Sequence, residues 1–123
     1  MQIHKLFYET LVKIHGHAED VARGIERGHE NKNFEKGIAL RNLADIQKQI
    51  KELEREKFEF DVHDGINIKE DLKRMNVAAV ELLELVAKGL TREEEITRAL
   101  IFHDALFQTA REALKWAKQY KDN

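Results

Sequence analysis

Six histidines are the residues of this chain best suited to chemistry, since each can exchange a proton near neutral pH or ligate a metal. Four of them, His4, His15, His17 and His29, lie near the N-terminus. His15 and His17 are two apart, which on a helix sets them about 200° from each other, so they cannot chelate one ion together. Glu26 and His29 form a single Glu-x-x-His pair, with both members on one side of a helix. A carboxylate-bridged two-metal site in a helical bundle needs two such pairs and two further inward carboxylates. The apolar stripes described below supply none. Asp61, His63 and Asp64 surround an Asp-Gly sequence, and turn chemistry accounts for them. Neither a metal nor a cofactor is expected.

Nucleophilic chemistry is equally poorly supplied. The chain has no serine and no cysteine, and Thr10, Thr91, Thr97 and Thr109 have no basic partner in a recognisable nucleophile setting. No Gly-rich phosphate loop, Gly-x-Ser-x-Gly, His-Glu-x-x-His or EF-hand pattern is present.

His103 remains, at the centre of an apolar helical face. Its ring nitrogens are expected to meet a backbone carbonyl, a side chain or a water. Counting turns from the common end of an up-and-down bundle places it level with His15 or His17 and with Ala79. Facing another histidine across the core, it would be kept largely neutral by desolvation and like charge, titrating below an ordinary histidine. The run Arg98-Ala99-Leu100-Ile101-Phe102-His103 also resembles the Arg-x4-6-His motif of HEPN-type helical bundles, a family that includes dimeric metal-independent ribonucleases. The resemblance covers that motif and the helical class. It implies Arg98 stabilising phosphate charge and His103 serving as acid or base on a ribose hydroxyl, in a cleft between subunits. Against this, the motif's residue after arginine is usually polar and here is alanine. Five residues on a regular helix also turn about 140°, which points Arg98 and His103 apart.

Composition bounds the remaining possibilities. The chain has 123 residues, enough for one domain with one core, residues 1–123. Proline is absent and glycine occurs six times, so little interrupts a helix. A net charge of -2 with 36% charged residues gives a surface dense in both signs and no long-range attraction to nucleic acid. No apolar run reaches membrane-spanning length and the N-terminus lacks a signal-peptide core, so a soluble, cytoplasmic protein without membrane contact is expected. Abundant Glu and Lys without Cys is a composition associated with heat-adapted proteins.

Four helices carry these residues. The first is expected from Gln2 to Gly28, with Ile3, Phe7, Leu11, Ile14, Ala18, Val21 and Ile25 inward, Gly24 allowing a close helix approach on its flank, and Gly28 as terminator. The second runs from Phe34, capped by Asn33, to Phe58, with Ala39, Leu43, Ile46, Ile50, Leu53, Lys57 and Phe60 as its seam. Its outer face pairs Arg41 with Asp45, Lys48 with Glu52 and Arg55 with Glu59. After a connection at 61–67, the third spans Ile68 to Lys88, with Ile68, Leu72, Met75, Ala79, Leu82, Leu83, Val86 and Leu90 inward. The closing helix spans Thr91 to Tyr120, begins with a Thr91/Glu94 capping box, and buries Ile96, Ala99, Leu100, Leu106, Phe107, Ala110, Ala113, Leu114 and Ala117 around His103. The fold class is an all-α, up-down-up-down antiparallel four-helix bundle.

The third and closing helices are apolar beyond one stripe. Val77, Val80 and Leu85 lie off the main face of the third, and Phe102, Ala105, Trp116 and Tyr120 on the far flank of the closing helix. These flanks, through Phe102, Trp116, Tyr120, Val80 and Leu85, are expected to form a homodimer surface. Burial accounts for nearly every distinctive residue, so the expected function is a non-catalytic helical interaction or assembly module. The alternative is the HEPN-like ribonuclease using Arg98 and His103.

Overall fold

The computed structural model describes the backbone of residues 3–31, 36–55 and 62–121 and the side chains of residues 5–26, 36–55 and 65–119. Four helices, α1 (Ile3–Asn31), α2 (Lys36–Arg55), α3 (Val62–Lys88) and α4 (Glu93–Lys121), make an up-down four-helix bundle. Packing joins α1 to α2, α2 to α3, α3 to α4 and α4 back to α1, and among the described residues no diagonal pair of helices brings its backbones together.

The apolar spacing produces this arrangement directly. Alternating steps of three and four residues put Phe7, Leu11, Ile14, Ala18, Val21 and Ile25 on one side of α1, and all six are buried. Ala39, Leu43, Ile46, Ile50 and Leu53 do the same for α2. Ile68, Leu72, Met75, Ala79, Leu82 and Val86 follow on α3, and Ile96, Ala99, Leu106, Ala110, Ala113 and Ala117 on α4. Leu83, Leu90, Leu100, Phe107 and Leu114 are only partly buried, at the margins of the same core. Each large aliphatic or aromatic side chain removed from water here contributes about 1.5–3 kcal/mol. Helix α4 carries alanine at four of these core positions, which lets its backbone lie close to its neighbours.

The turn between α3 and α4 is built from Gly89, whose φ of +93° is a left-handed conformation that costs a side chain about 1–2 kcal/mol. Its N–H donates to Val86 O at 3.0 Å. The cap of α4 lies one residue later than the Thr91/Glu94 spacing suggests. Arg92 is the capping position, and Glu95, not Glu94, reaches back to accept its N–H at 3.1 Å. Glu95 also accepts from Arg92 Nε and from Thr91 Oγ1, each at 3.3 Å. The hydrogen bonds from Arg92 hold the Glu95 carboxyl below the usual glutamate range.

Several local expectations are corrected. Helix α1 runs through Gly28 to Asn31, because a glycine ends a helix only where the chain adopts the left-handed turn. Helix α3 begins at Val62, so Gly65, Ile66 and Asn67 lie within a helix and not in a connection. Gly24 has nothing within 4 Å of where a Cβ would stand, so no neighbouring helix uses it for close approach. Among the described residues the ion pairs lie on α1, α3 and the start of α4, and Arg41–Asp45 and Lys48–Glu52 do not close. Exposed pairs of this kind gain too little to fix two long side chains. The side chains of Ile3, His4, His29, Lys57, Glu59, Phe60, Asp61, His63, Asp64 and Tyr120, and the Asn33 cap, lie outside the described residues.

The open space at Gly24 and the strained backbone at Gly89 make opposite predictions. Gly24→Ala raises stability by about 1 kcal/mol, because alanine is the better helix former. Gly89→Ala lowers it by about 1–2 kcal/mol. Urea unfolding of the two variants beside the parent chain measures both. An equal response from the two would contradict this account of the glycines.

Candidate functional site

Helix α4 packs between α1 and α3, and its chemically distinctive residues divide between those two seams. His103 faces α1. Its Nε2 donates to the backbone carbonyl of Ala18 at 2.8 Å, and since that oxygen only accepts, Nε2 carries the hydrogen of the neutral ring. The ring stacks on Phe107 with centroids 5.7 Å apart, and Phe107 in turn meets His15 at 4.3 Å. His103 therefore lies level with the His15–Ala18 turn of α1, and its partner there is a carbonyl. Burial pushes the His103 value below that of an ordinary histidine, and the Ala18 bond and the charges of Asp104 and Glu26 only partly offset it. The expected direction holds. The expected contribution of a second histidine does not, because the cause is desolvation.

His15 and His17 are separated as their spacing requires. His15 turns toward α4 and lies 3.9 Å from Glu19. His17 turns toward α2, where its Nδ1 donates to Asn42 Oδ1 at 2.9 Å while the Asn42 amide donates to Ile38 O at 3.1 Å. Arg98 is exposed on the α4 surface. Helix α4 is continuous from Arg98 to His103, so the two side chains leave it about 140° apart. They do not converge on a shared reaction centre within one chain.

The opposite flank of α4 contains a group that the sequence reading missed. Asp71 of α3 is 8% exposed, and Trp116 donates its indole Nε1–H to Asp71 Oδ2 at 3.3 Å. The Trp116 ring also lies 5.6 Å from that of Phe7 on α1. Arg74 approaches the other carboxylate oxygen at 3.7 Å from the solvent side. Burial raises the Asp71 value above that of an ordinary aspartate, against the lowering effect of Trp116 and Arg74, and Glu112 and Glu70 reinforce the rise. The signal was present in the sequence, since Ile68, Asp71, Leu72 and Met75 follow the i, i+3, i+4, i+7 pattern of one helical face.

The residues assigned to a dimer surface occupy mixed positions. Trp116, Phe102 and Leu85 are partly buried against the core of their own bundle, and Val80 is half-buried on α3. Among the described residues the exposed large apolar side chains are Leu6, Val12, Ile38, Ile66, Val77 and Ile101. Among the described residues no three of His, Asp or Glu gather where they could hold a metal ion. No described helix is long and apolar enough to cross a membrane. Protein-family models, curated proteins and solved structures give no match to this chain.

The raised Asp71 value fixes the sign of a pH effect. In the folded chain Asp71 holds its proton more firmly than in the unfolded chain, so its contribution to stability is fully present below the ordinary value of 3.8. That contribution is lost as pH rises through the folded value. Asp71→Asn keeps an oxygen for Trp116 and cannot ionise. Compared by urea unfolding across this range, the parent chain loses stability relative to Asp71→Asn as pH rises. A relative gain would show that the Trp116 and Arg74 contacts outweigh burial.

Proposed function

We propose that this chain is a non-catalytic helical interaction module that assembles with a second copy of itself through the outer faces of α3 and α4. The observation that carries the reading is the pair of β-branched apolar residues Val77 and Ile101, 53% and 62% exposed on neighbouring helices. Ile66 extends the exposed apolar character of α3, and the half-buried Val80 adjoins it. Trp116, Phe102 and Leu85 contribute mainly to their own bundle, so the assembly surface lies further outward than the flanks that include them. Association would remove these side chains from water at about 25 cal/mol per Å² of apolar area.

The distribution of polar groups supports a binding role over a catalytic one. His103, His17, Asp71 and Trp116 are each engaged in contacts between helices. A ribonuclease use of Arg98 and His103 would require two side chains directed about 140° apart to act on one phosphodiester. A chain without cysteine needs no oxidising compartment, and we place the module in the cytoplasm. Its charge-rich, cysteine-free composition also fits a heat-adapted source.

Sedimentation or light scattering over a dilution series is expected to show a dimer that dissociates on dilution. Val77→Lys combined with Ile101→Lys shifts it to monomer with unchanged helical circular dichroism. A parent chain monomeric at every concentration removes self-assembly. Incubation with unstructured RNA is expected to leave the RNA intact. Cleavage by the parent chain that disappears in His103→Ala would replace this reading with a nuclease.

A further inference from the structure

Helices α1 and α4 form the one seam of the ring whose members are not consecutive in the chain. The other three seams are each spanned by a connection, whereas this one is held only by what its side chains make. A polar contact that crosses it is the His103 Nε2–H bond to Ala18 O, an oxygen inside α1 rather than at a helix end. The ring lies half-buried on Phe107, which also contacts His15.

The titratable and charged groups around His103 come from both helices of the seam. From α1 they are His15 and Glu26, with Glu19 beside His15 at 3.9 Å and Arg23 beside Glu19 at 3.7 Å. From α4 they are Asp104 and Arg111, the latter 6.0 Å over the Phe107 ring. Helix α3 packs on the opposite flank of α4, where its Asp71 accepts from Trp116 and is paired with Arg74. Glu26 and Asp104 are exposed, so both carboxylates that attract a His103 cation draw it toward solvent.

We propose that the α1–α4 seam is an acid-sensitive clasp, in which protonation of His103 at Nδ1 turns the ring toward solvent and parts the N-terminal half of α4 from α1, while Trp116 keeps the C-terminal half on Asp71 and Phe7. One proton passes from water to Nδ1 and no covalent bond changes. The neutral ring suits the closed seam because its single N–H has the Ala18 carbonyl. The cation brings a second N–H and a full charge into a half-buried position. Burial holds the closed-state value below the ordinary one, so the closed seam is fully favoured above about pH 6.5 and loses stability as pH falls from there through the lowered value.

Hydrogen exchange of the intact chain at about pH 7.5 and about pH 5, expressed as protection factors so that intrinsic exchange chemistry cancels, tests the clasp. In the parent chain residues 14–22 and 99–106 lose protection at the lower pH, and residues 110–117 keep theirs. His103→Gln retains an N–H donor and does not titrate, and its protection in 14–22 and 99–106 stays level between the two conditions. The His103 ring, followed by NMR in the parent chain, titrates below about 6.5 and in step with that loss. Unchanged protection in the parent chain, an equal loss in His103→Gln, or a His103 midpoint at or above 6.5 would each overturn the proposal. The NMR and parent-chain exchange decide it even if His103→Gln does not fold.

Discussion

Among the described residues each helix of this bundle packs its backbone beside two neighbours and not beside the helix opposite, so each must fill two seams as well as its inward line. For α1 and α2 a single stripe of aliphatic residues suffices, because polar residues such as His17 and Asn42 can meet in the seam between them. Helix α4 meets the requirement differently. Small alanines occupy much of its inward line, and larger residues sit to either side, Phe107 and Leu114 on one flank and Phe102 and Trp116 on the other. Removing either set would leave one seam of the ring open while the other three stayed closed.

Among the described residues three side-chain hydrogen bonds join one helix to another, while Gln49 Oε1 on α2 is buried without a partner. His17 with Asn42, His103 with Ala18 and Trp116 with Asp71 join α1 to α2, α1 to α4 and α3 to α4. A buried polar group adds little net stability when paired and costs considerably more when its partner is displaced. Such pairs therefore penalise a helix that slides by a turn or rotates against its neighbour, which aliphatic stripes of uniform spacing penalise weakly. The register of the bundle depends on them more than its existence does.

How much of this was legible in the sequence follows from what a pattern can express. The three-and-four spacing of Phe7 to Ile25 and of Ala39 to Leu53 depends only on burial, and the structure buries those described residues. Helix ends were less legible. The extension of α1 past Gly28 and of α3 back to Val62 shows backbone continuing where turn-forming residues permitted a stop without requiring one. The shift of the α4 cap from Glu94 to Glu95 is a one-residue choice among three adjacent glutamates, made by hydrogen-bond geometry. At the candidate site, the depressed state of His103 was legible from its position on an apolar face. The Asp71–Trp116 bond was not, because treating apolar flanks as unpaired concealed that a half-buried indole needs an acceptor.

The His103–Ala18 contact joins residues 85 apart in the chain, against 45 for Trp116–Asp71. Closing a flexible loop costs about 0.6 kcal/mol more for each doubling of its length, so joining α1 to α4 in a disordered chain carries roughly that extra entropic charge over joining α3 to α4. The charge falls away once the three hairpins have formed, because they already bring α1 and α4 side by side. The topology thus favours an order of assembly in which neighbours in sequence zip first and the outer helices meet last. A polar, half-buried contact is well suited to that final position: it adds little attraction to the disordered chain, where a sticky apolar seam between distant segments would promote misregistered collapse.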